Sequence, residues 1–140
     1  MRLAVLDTNI IVSAGIKREG APASIVMDWV LDGQVQVVTC PAIRDEYREV
    51  VRRAKFLRYR FPPLWLEFLI DESLQLSDAA RWPRPLPDPG DAPFLALAHA
   101  AGAWLVTGNI RHFPRKARSG VTVLSPADYF ARLQGRALPR

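Results

Sequence analysis

The sequence predicts an α/β fold in which helices flank a central, mostly parallel β-sheet. Short continuous apolar runs, typical of strands buried on both faces, alternate with segments whose apolar residues recur at helical spacing. The connections between them are short, which favours a layered α/β sandwich. Because 49% of the 140 residues are apolar, the chain can bury an ordinary core, and we expect one domain over residues 1–140.

The first strand and helix occupy the N-terminal quarter of the chain. Residues 3–6 are apolar and predict a central strand that ends in a polar turn at residues 7–9. After a loop, apolar residues between Ile25 and Val30 recur at helical spacing, and Gly33 ends that helix.

A second strand and helix follow directly. Residues 35–38 predict the strand, and Pro41 occupies a favoured first position for the helix. The apolar residues of this helix fall on one stripe, which we expect to face the core. They are Ile43, Tyr47, Val50, Val51 and Ala54.

The second half of the chain begins at a break, residues 61–63, and continues as a third helix from Leu64 to about Ser77. Four prolines then hold residues 82–89 in an extended conformation. The remaining elements are a helix from Asp91 to Gly102, strands at 104–107 and 121–124, and a helix capped by Ser125 that runs to Leu133.

The composition excludes several classes of protein. With 24% charged residues the chain is not a disordered tail, and no apolar run reaches the ~20 residues of a membrane span. Asp7 interrupts the first apolar segment, so we expect no secretory signal and a cytoplasmic protein. The single cysteine, Cys40, cannot form an internal disulfide or a cysteine metal cage, and we expect it in the core.

The chain carries a formal charge of +5 and a pI near 10.0, which favours a polyanionic partner. Nine of its 19 basic residues form two clusters, and the acids mostly lie elsewhere. A solvated surface explains the same clusters and stays open as the alternative. The first cluster comprises Arg52, Arg53, Lys55, Arg58 and Arg60, and the second comprises Arg111, Arg115, Lys116 and Arg118.

Two predicted strands are followed by short polar side chains. Asp7-Thr8-Asn9 follows the first strand, and Thr107-Gly108-Asn109 follows a later one. The carboxyl ends of parallel strands meet at one edge of a sheet, which is where sites in open α/β sheets lie. The alternative is that these residues only make turns.

Glu46 lies beside the apolar stripe of the second helix. At about 100° per residue it points about 60° away from Ile43, whereas Asp45 and Glu49 point outward. A carboxylate beside an apolar face needs a cation or a donor, so Glu46 is a candidate ligand at the rim of the core. The alternative is a glutamate whose stem lies along the core while its head reaches water.

Asp91 stands just ahead of a helix rich in Leu and Ala, so Asp7, Glu46 and Asp91 come from three separate elements. Carboxylates are the ligands that Mg²⁺ and Mn²⁺ prefer, and an acidic cluster in a basic protein indicates metal-assisted phosphodiester cleavage. The alternatives are a helix cap for Asp91 and a turn residue for Asp88.

Four stretches of the chain together resemble the PIN-domain superfamily, in particular its bacterial branch of ribonuclease toxins from toxin–antitoxin systems. Each stretch is short, but their order and spacing match that family along the whole chain. They are residues 6–9 with the apolar run and Ser13 that follow, residues 41–46, residues 88–98 and residues 105–109.

The resemblance implies a three-layer sandwich that hydrolyses single-stranded RNA with Mg²⁺ or Mn²⁺, held by Asp7, Glu46 and Asp91 as catalytic acids. Many relatives carry a fourth acid where this chain has Asn109. The amide oxygen of Asn109 can still coordinate a metal but adds no charge, which leaves a second ion open. We expect the RNA to contact Thr8, Asn9, Thr107, Arg52, Arg53 and Arg111.

The resemblance also implies a cognate antitoxin protein and a homodimer, with Tyr59 or Trp65 at its interface or else in the core. A toxin and a housekeeping nuclease would share these residues. The main rival is a module that binds RNA or protein without catalysis on a degenerate PIN scaffold. We expect His99 to pack within its helix and His112 to make at most a minor phosphate contact.

Two other enzyme classes with an acidic pocket at strand ends fit the sequence less well. A phosphoacceptor receiver domain needs paired acids after the first strand and a lysine after a late one, and this chain has neither. A phosphatase of the haloacid dehalogenase type needs a second aspartate where Asn9 stands.

Overall fold

The computed structural model describes residues 2–16, 20–23, 25, 30, 33–53 and 63–135, and these form a five-stranded parallel sheet with helices around it. The α/β fold predicted from the sequence is confirmed. In space the strands run in the order β3-β2-β1-β4-β5. Their bounds are β1 Arg2–Leu6, β2 Val35–Thr39, β3 Leu74–Gln75, β4 Trp104–Val106 and β5 Val123–Leu124.

Strand β1 lies at the centre of the sheet. Ala4 pairs with Val37 of β2 on one side and with Trp104 of β4 on the other, and Leu6 pairs with Val106. Since a central parallel strand is covered on both faces, its residues need no polar alternation. Ala4, Val5 and Leu6 are accordingly all fully buried.

Within the described residues five helices of eight or more residues accompany the strands, and α4 packs across β1, β2 and β4. Helix α2 contacts α1, α3 and α4, and α5 contacts the helical turn at Ala21–Ala23. Single helical turns occur at Ala21–Ala23, Pro89–Asp91, Ile110–His112 and Arg115–Ala117. The helices are α1 Thr8–Ile16, α2 Pro41–Val51, α3 Pro63–Glu72, α4 Ala92–Ala101 and α5 Pro126–Leu133.

Several predicted boundaries are confirmed. Helix α2 begins at Pro41 and buries Ile43, Tyr47 and Val51, while Ala54 lies outside the described residues. Helix α4 ends at Gly102, whose φ of 64° is the left-handed conformation that glycine tolerates. The hydroxyl of Ser125 accepts a hydrogen bond from the Asp128 amide at 3.1 Å and caps α5, and Cys40 is buried. Most of the helix predicted around residues 25–30 lies outside the described residues.

The polar turn predicted at residues 7–9 is wrong. Helix α1 begins at Thr8, and Asp7 alone separates it from β1. The amide of Ile10 donates to the Asp7 carbonyl at 2.9 Å, which starts the helix without a loop. The apolar run from Ile10 to Ala14 is therefore the buried face of α1.

The third helix ends at Glu72 and not near Ser77. The Ser73 amide and hydroxyl both donate to the Ile70 carbonyl, which closes the helix, and residues 74–75 then pair with β2 as β3. A strand of two residues has no period in the sequence, so the pattern did not predict it. Strands β4 and β5 are also shorter than the apolar runs that contain them.

No helix in the described part of the chain is both long enough and apolar enough to cross a membrane.

Candidate functional site

The candidate site lies where β1 and β4 run side by side and end at the same edge of the sheet. Asp7 follows β1, and Thr107 follows β4. After β1 the chain forms β2 and β3 on one side of it, and β4 and β5 then lie on the other side. Such a change in strand order opens a crevice at the carboxyl edge of the sheet, as in other open α/β folds.

Asp7 is only 6% exposed and is held by the neighbouring strand end. Its amide donates to the Val106 carbonyl at 2.9 Å. Its Oδ2 atom accepts from the Thr107 hydroxyl at 2.8 Å and from the Asn9 amide at 3.5 Å. Burial raises the pKa of Asp7, the Thr107 bond opposes that rise, and the nearby Asp91 charge adds to it.

The loop after β4 is tied to the start of α1. The Gly108 amide donates to Asn9 Oδ1 at 3.0 Å, and the Asn109 amide donates to the Thr107 hydroxyl at 3.0 Å. A Cβ at position 108 would lie 3.4 Å from Asn9 Oδ1, an ordinary van der Waals distance, so the contact itself does not require glycine. Asn9 and Thr107 thus act together in fixing the position of Asp7.

Glu46 projects from α2 and meets the first residue of α1. Its Oε2 atom accepts a short hydrogen bond from the Thr8 hydroxyl. Burial raises the pKa of Glu46, the Thr8 bond opposes that rise, and the charge of Asp7 adds to it. As predicted, Glu46 is half-buried while Asp45 and Glu49 are exposed.

Tyr47 anchors the same turn of α2. Its side chain is fully buried, and its hydroxyl donates a short hydrogen bond to the Leu6 carbonyl, immediately before Asp7. The next side chain after Glu46 is therefore bonded to the last residue of β1. This bond fixes the distance of α2 from the end of the strand.

Asp91 occupies the N-cap position of α4, but its side chain makes no capping bond. The cap alternative is therefore wrong, and Asp91 Oδ2 instead lies 2.9 Å from His112 Nδ1. Burial raises the pKa of Asp91, and Asp88 adds to the rise, while His112 opposes it. Asp88 Oδ1 accepts from the Gly90 amide at 2.9 Å, as expected of a turn residue.

A chain of side chains joins Asn109, His112 and Asp91. Asn109 Nδ2 lies 3.0 Å from His112 Nε2, and the other ring nitrogen contacts Asp91. When the Asn109 side-chain amide donates to Nε2, the imidazole carries its hydrogen on Nδ1 and donates a hydrogen bond to the Asp91 carboxylate. Sequence reasoning missed this role of His112. The signal was present as Asn and His three residues apart, which one helical turn brings together.

The other predicted residues lie around this centre. Arg52 and Arg53 are exposed at the end of α2, and Arg53 Nη2 is 3.9 Å from Glu49 Oε1. Arg111 is exposed beside His112. His99 is exposed as well, and its ring makes an edge contact with Trp82 at 5.5 Å. Lys55, Arg58, Tyr59 and Arg60 lie outside the described residues.

The acids are close enough to affect one another. The charge of Asp7 raises the pKa of Glu46, that of Asp91 raises the pKa of Asp7, and that of Glu46 raises the pKa of Asp91. The ligand atoms of Asp88, Asp91 and His112 lie within 4.8 Å of one another, and among the described residues those of Asp7 and Glu46 lie outside this group. The donor set is rich in carboxylate oxygen, which hard divalent cations prefer.

The family profile of the PIN domain matches residues 3–111. The chain belongs to the PIN domain family. PIN domains are nucleases, and the matched span contains the three acids Asp7, Glu46 and Asp91. It ends at Arg111, one residue before His112. No curated protein matches the sequence.

Solved structures share the fold of this PIN domain. One similar chain belongs to the crystal structure of VapBC2 from Rickettsia felis bound to a DNA fragment from the VapBC2 promoter. Its TM-score is 0.62, with 16% identity over 88% of this chain and 98% of that one. FitAcB from Neisseria gonorrhoeae is similar with a TM-score of 0.55 and 17% identity over 89% and 98%. PAE2754 from Pyrobaculum aerophilum is similar with a TM-score of 0.53 and 14% identity over 96% and 91%.

Proposed function

We propose that this PIN domain is a metal-dependent endoribonuclease that cleaves single-stranded RNA and serves as the toxin of a type II toxin–antitoxin pair. The observation that carries the proposal is the convergence of Asp7, Glu46 and Asp91 from three elements at one edge of the sheet, each with a raised pKa. Like charges gathered in this way are costly unless a cation neutralises them. Acids whose pKa values are raised by burial and mutual repulsion are typical of functional sites.

The donor set fits Mg²⁺ or Mn²⁺, which would be held by Asp7, Glu46 and Asp91. The described side-chain hydrogen bonds engage one oxygen of each carboxylate, namely Oδ2 of Asp7, Oε2 of Glu46 and Oδ2 of Asp91. Each acid is therefore oriented by a neighbour on one side. Such orienting partners are typical of residues that ligate metals.

Each of the three acids is held in place by hydrogen bonds from neighbouring side chains. Thr107 and Asn9 hold Asp7, Thr8 holds Glu46, and His112 holds Asp91. When bound, the metal would supply a water of lowered pKa and positive charge for the scissile phosphate. We assign Asn109 an indirect role at this site. Its side-chain amide contacts the His112 ring, and the same ring contacts Asp91.

The basic residues around the site would bind the substrate. Arg53 lies close enough to Glu46 to lower its pKa, Arg52 is exposed at the end of α2, and Arg111 is exposed beside His112. Arginines so placed would contact phosphates of the RNA without contacting the metal. The excess of basic over acidic residues supports an RNA substrate in the same way.

An antitoxin protein and a second copy of the chain are the partners we propose. The likeness in fold to VapBC2 of Rickettsia felis and to FitAcB supports this assignment, together with the family resemblance of the sequence. We place the protein in the cytoplasm, where its RNA substrate would be.

The direct test is cleavage of a labelled single-stranded RNA by purified protein in EDTA, Mg²⁺ or Mn²⁺. We expect cleavage only with a divalent ion and none from Asp7→Asn. Asp45→Asn, an exposed acid one residue before Glu46, is the matched control and should cleave normally. RNA that is bound but not cleaved under every condition would favour the non-catalytic module.

A further inference from the structure

A groove of about 960 Å³ opens beside the acids. One wall is the extended segment of residues 78–86, and the other is formed by the N-terminal turns of α2 and α4. Clefts that hold small ligands have volumes of about 300–1,000 Å³. This groove is at the upper end of that range, so it has room for a nucleotide-sized ligand.

The extended segment is fixed to its surroundings, so the groove is already formed. The Trp82 indole donates to the Ala117 carbonyl at 2.9 Å, and the Arg84 Nε atom donates to the Ser119 hydroxyl at 2.7 Å. At the other end, Asp78 accepts from the Ala42 amide at 2.9 Å. Pro83, Pro85 and Pro87 restrict the backbone between and beyond these anchors.

The walls are largely apolar, and the lining carries two arginines and one acid, Asp78, which accepts from the Ala42 amide. Trp82, Pro83 and Leu86 line the groove together with the exposed Arg81 and Arg84. Arg84 also reaches the carbonyl of Lys116 at 3.5 Å, which ties the segment to the helical turn at Arg115–Ala117. Within the described ranges, no carboxylate lies within ion-pair distance of either arginine. The arginines therefore remain able to pair with an anion.

The groove shares two helices with the acidic site, although Asp7, Glu46 and Asp91 do not line it. Pro89 and Ala92 both line it, and Asp91 lies between them in the chain. Ala42, on the opposite wall, is one helical turn before Glu46 on α2. A strand whose phosphate lies at the acids would extend its next nucleotides into the groove.

We propose that this groove binds the nucleotides of single-stranded RNA that flank the cleaved bond. The proposal rests on the ribonuclease function proposed above. Bases pack against Trp82, Pro83 and Leu86, and phosphates pair with Arg81 and Arg84. Flat apolar walls with cations at the rim bind unpaired bases in this way, because every base presents an aromatic face and every linkage a charge. The groove would then contribute to the choice of sequence at the cleavage site.

The first test measures the affinity of a fluorescent single-stranded RNA for the protein in EDTA, which prevents cleavage. Arg81→Ala combined with Arg84→Ala should weaken binding about tenfold and lower the salt slope by about 1 for each phosphate that the protein no longer neutralises. Arg2→Ala is the matched control, because Arg2 is exposed at the opposite end of β1. It should bind within twofold of the unaltered protein. Arg81→Ala alone removes no described hydrogen bond, so it tests the groove without loosening the segment.

The second test locates the RNA by photocrosslinking with 4-thiouridine placed next to the cleavage site. We expect crosslinks in residues 79–86. If the protein cleaves RNA but the arginine variants bind like Arg2→Ala and crosslinks fall elsewhere, the groove proposal is wrong while the ribonuclease function stands. If the unaltered protein neither binds nor cleaves RNA, both proposals fail. Equal binding of DNA with the same crosslinks would overturn the assignment to RNA.

Discussion

The hydroxyl of Thr107 lies 2.8 Å from Asp7 Oδ2 and so joins the ends of β1 and β4 across the candidate site. The two residues are 100 positions apart in the chain. The bond lowers the pKa of Asp7 against the effect of burial. Thr107 therefore favours the ionised carboxylate that a divalent cation requires.

Thr107→Val should weaken metal binding and shift its pH dependence. The variant keeps the shape of the side chain but loses the donor, so the pKa of Asp7 should rise further. The pH at which Mn²⁺ binding is half-maximal should move upward, and affinity at neutral pH should fall about 10–100-fold. Calorimetric titration across pH measures both effects. Thr122→Val, just before β5, is the control, and an equal change there would contradict the assignment.

The metal-free protein should become more stable as the pH falls from neutral through the raised pKa values of Asp7, Glu46 and Asp91. The pKa values of Asp7, Glu46 and Asp91 are raised in the folded state, so that state binds protons more tightly than the unfolded chain. Stability is then lost as the pH rises through the raised pKa values. Urea unfolding in EDTA at several pH values tests this dependence. Asp7→Asn should flatten it and raise Tm at pH 7 by about 3 °C, whereas Asp45→Asn should not.

Glu46→Gln and Asp91→Asn should each lower the rate of RNA cleavage by more than about 100-fold. Loss of a residue that only orients a metal ligand typically costs about 10–100-fold, and loss of the ligand itself should cost more. Glu49→Gln changes an exposed acid on the same helix as Glu46 and should be nearly silent. Similar losses of cleavage rate in Glu46→Gln and Glu49→Gln would contradict the assignment of Glu46 as a metal ligand, because the net charge of α2 would then explain both.

Asn109→Asp should tighten divalent binding by a larger factor in a His112→Ala background than in the unaltered protein, each compared with the protein that keeps Asn109. The side-chain amide of Asn109 faces His112, so an added carboxylate would first engage the imidazole. Removing the ring frees that carboxylate for the cation. Calorimetry with Mn²⁺ on the single and double variants measures the difference, and we expect one ion per chain in the unaltered protein. Equal gains with and without His112 would mean that the carboxylate does not engage the ring.

The sequence predicts the position of Glu46 because the helical spacing of the apolar residues in α2 is enough to place its side chain. The apolar stripe of α2 fixes the rotation of the helix, and Glu46 then falls at the rim while Asp45 and Glu49 face water. The start of α4 behind Asp91 was predictable for a similar reason, because the Leu- and Ala-rich run and Gly102 mark both ends of the helix. Local pattern was sufficient for these residues.

Other features depend on packing between distant segments, which no local pattern encodes. His112 reaches Asp91 because the turn after β4 folds back on the N-terminus of α4. The immediate start of α1 at Thr8 depends on the Asp7 carbonyl, and Thr8 and Asn9 read equally well as turn residues. Strand β3 exists because β2 offers it partners, since its own two residues have no alternation.

The shortness of β3 and β5 limits how copies of this protein can associate. Both lie at the edges of the sheet and contain two residues each, so neither offers a row of free amides and carbonyls long enough to template another strand. Continuous sheets across two molecules are thereby disfavoured, as is fibrillar stacking. A homodimer would have to form through side chains instead, for example around Phe68, which is 51% exposed on α3 near the β3 edge.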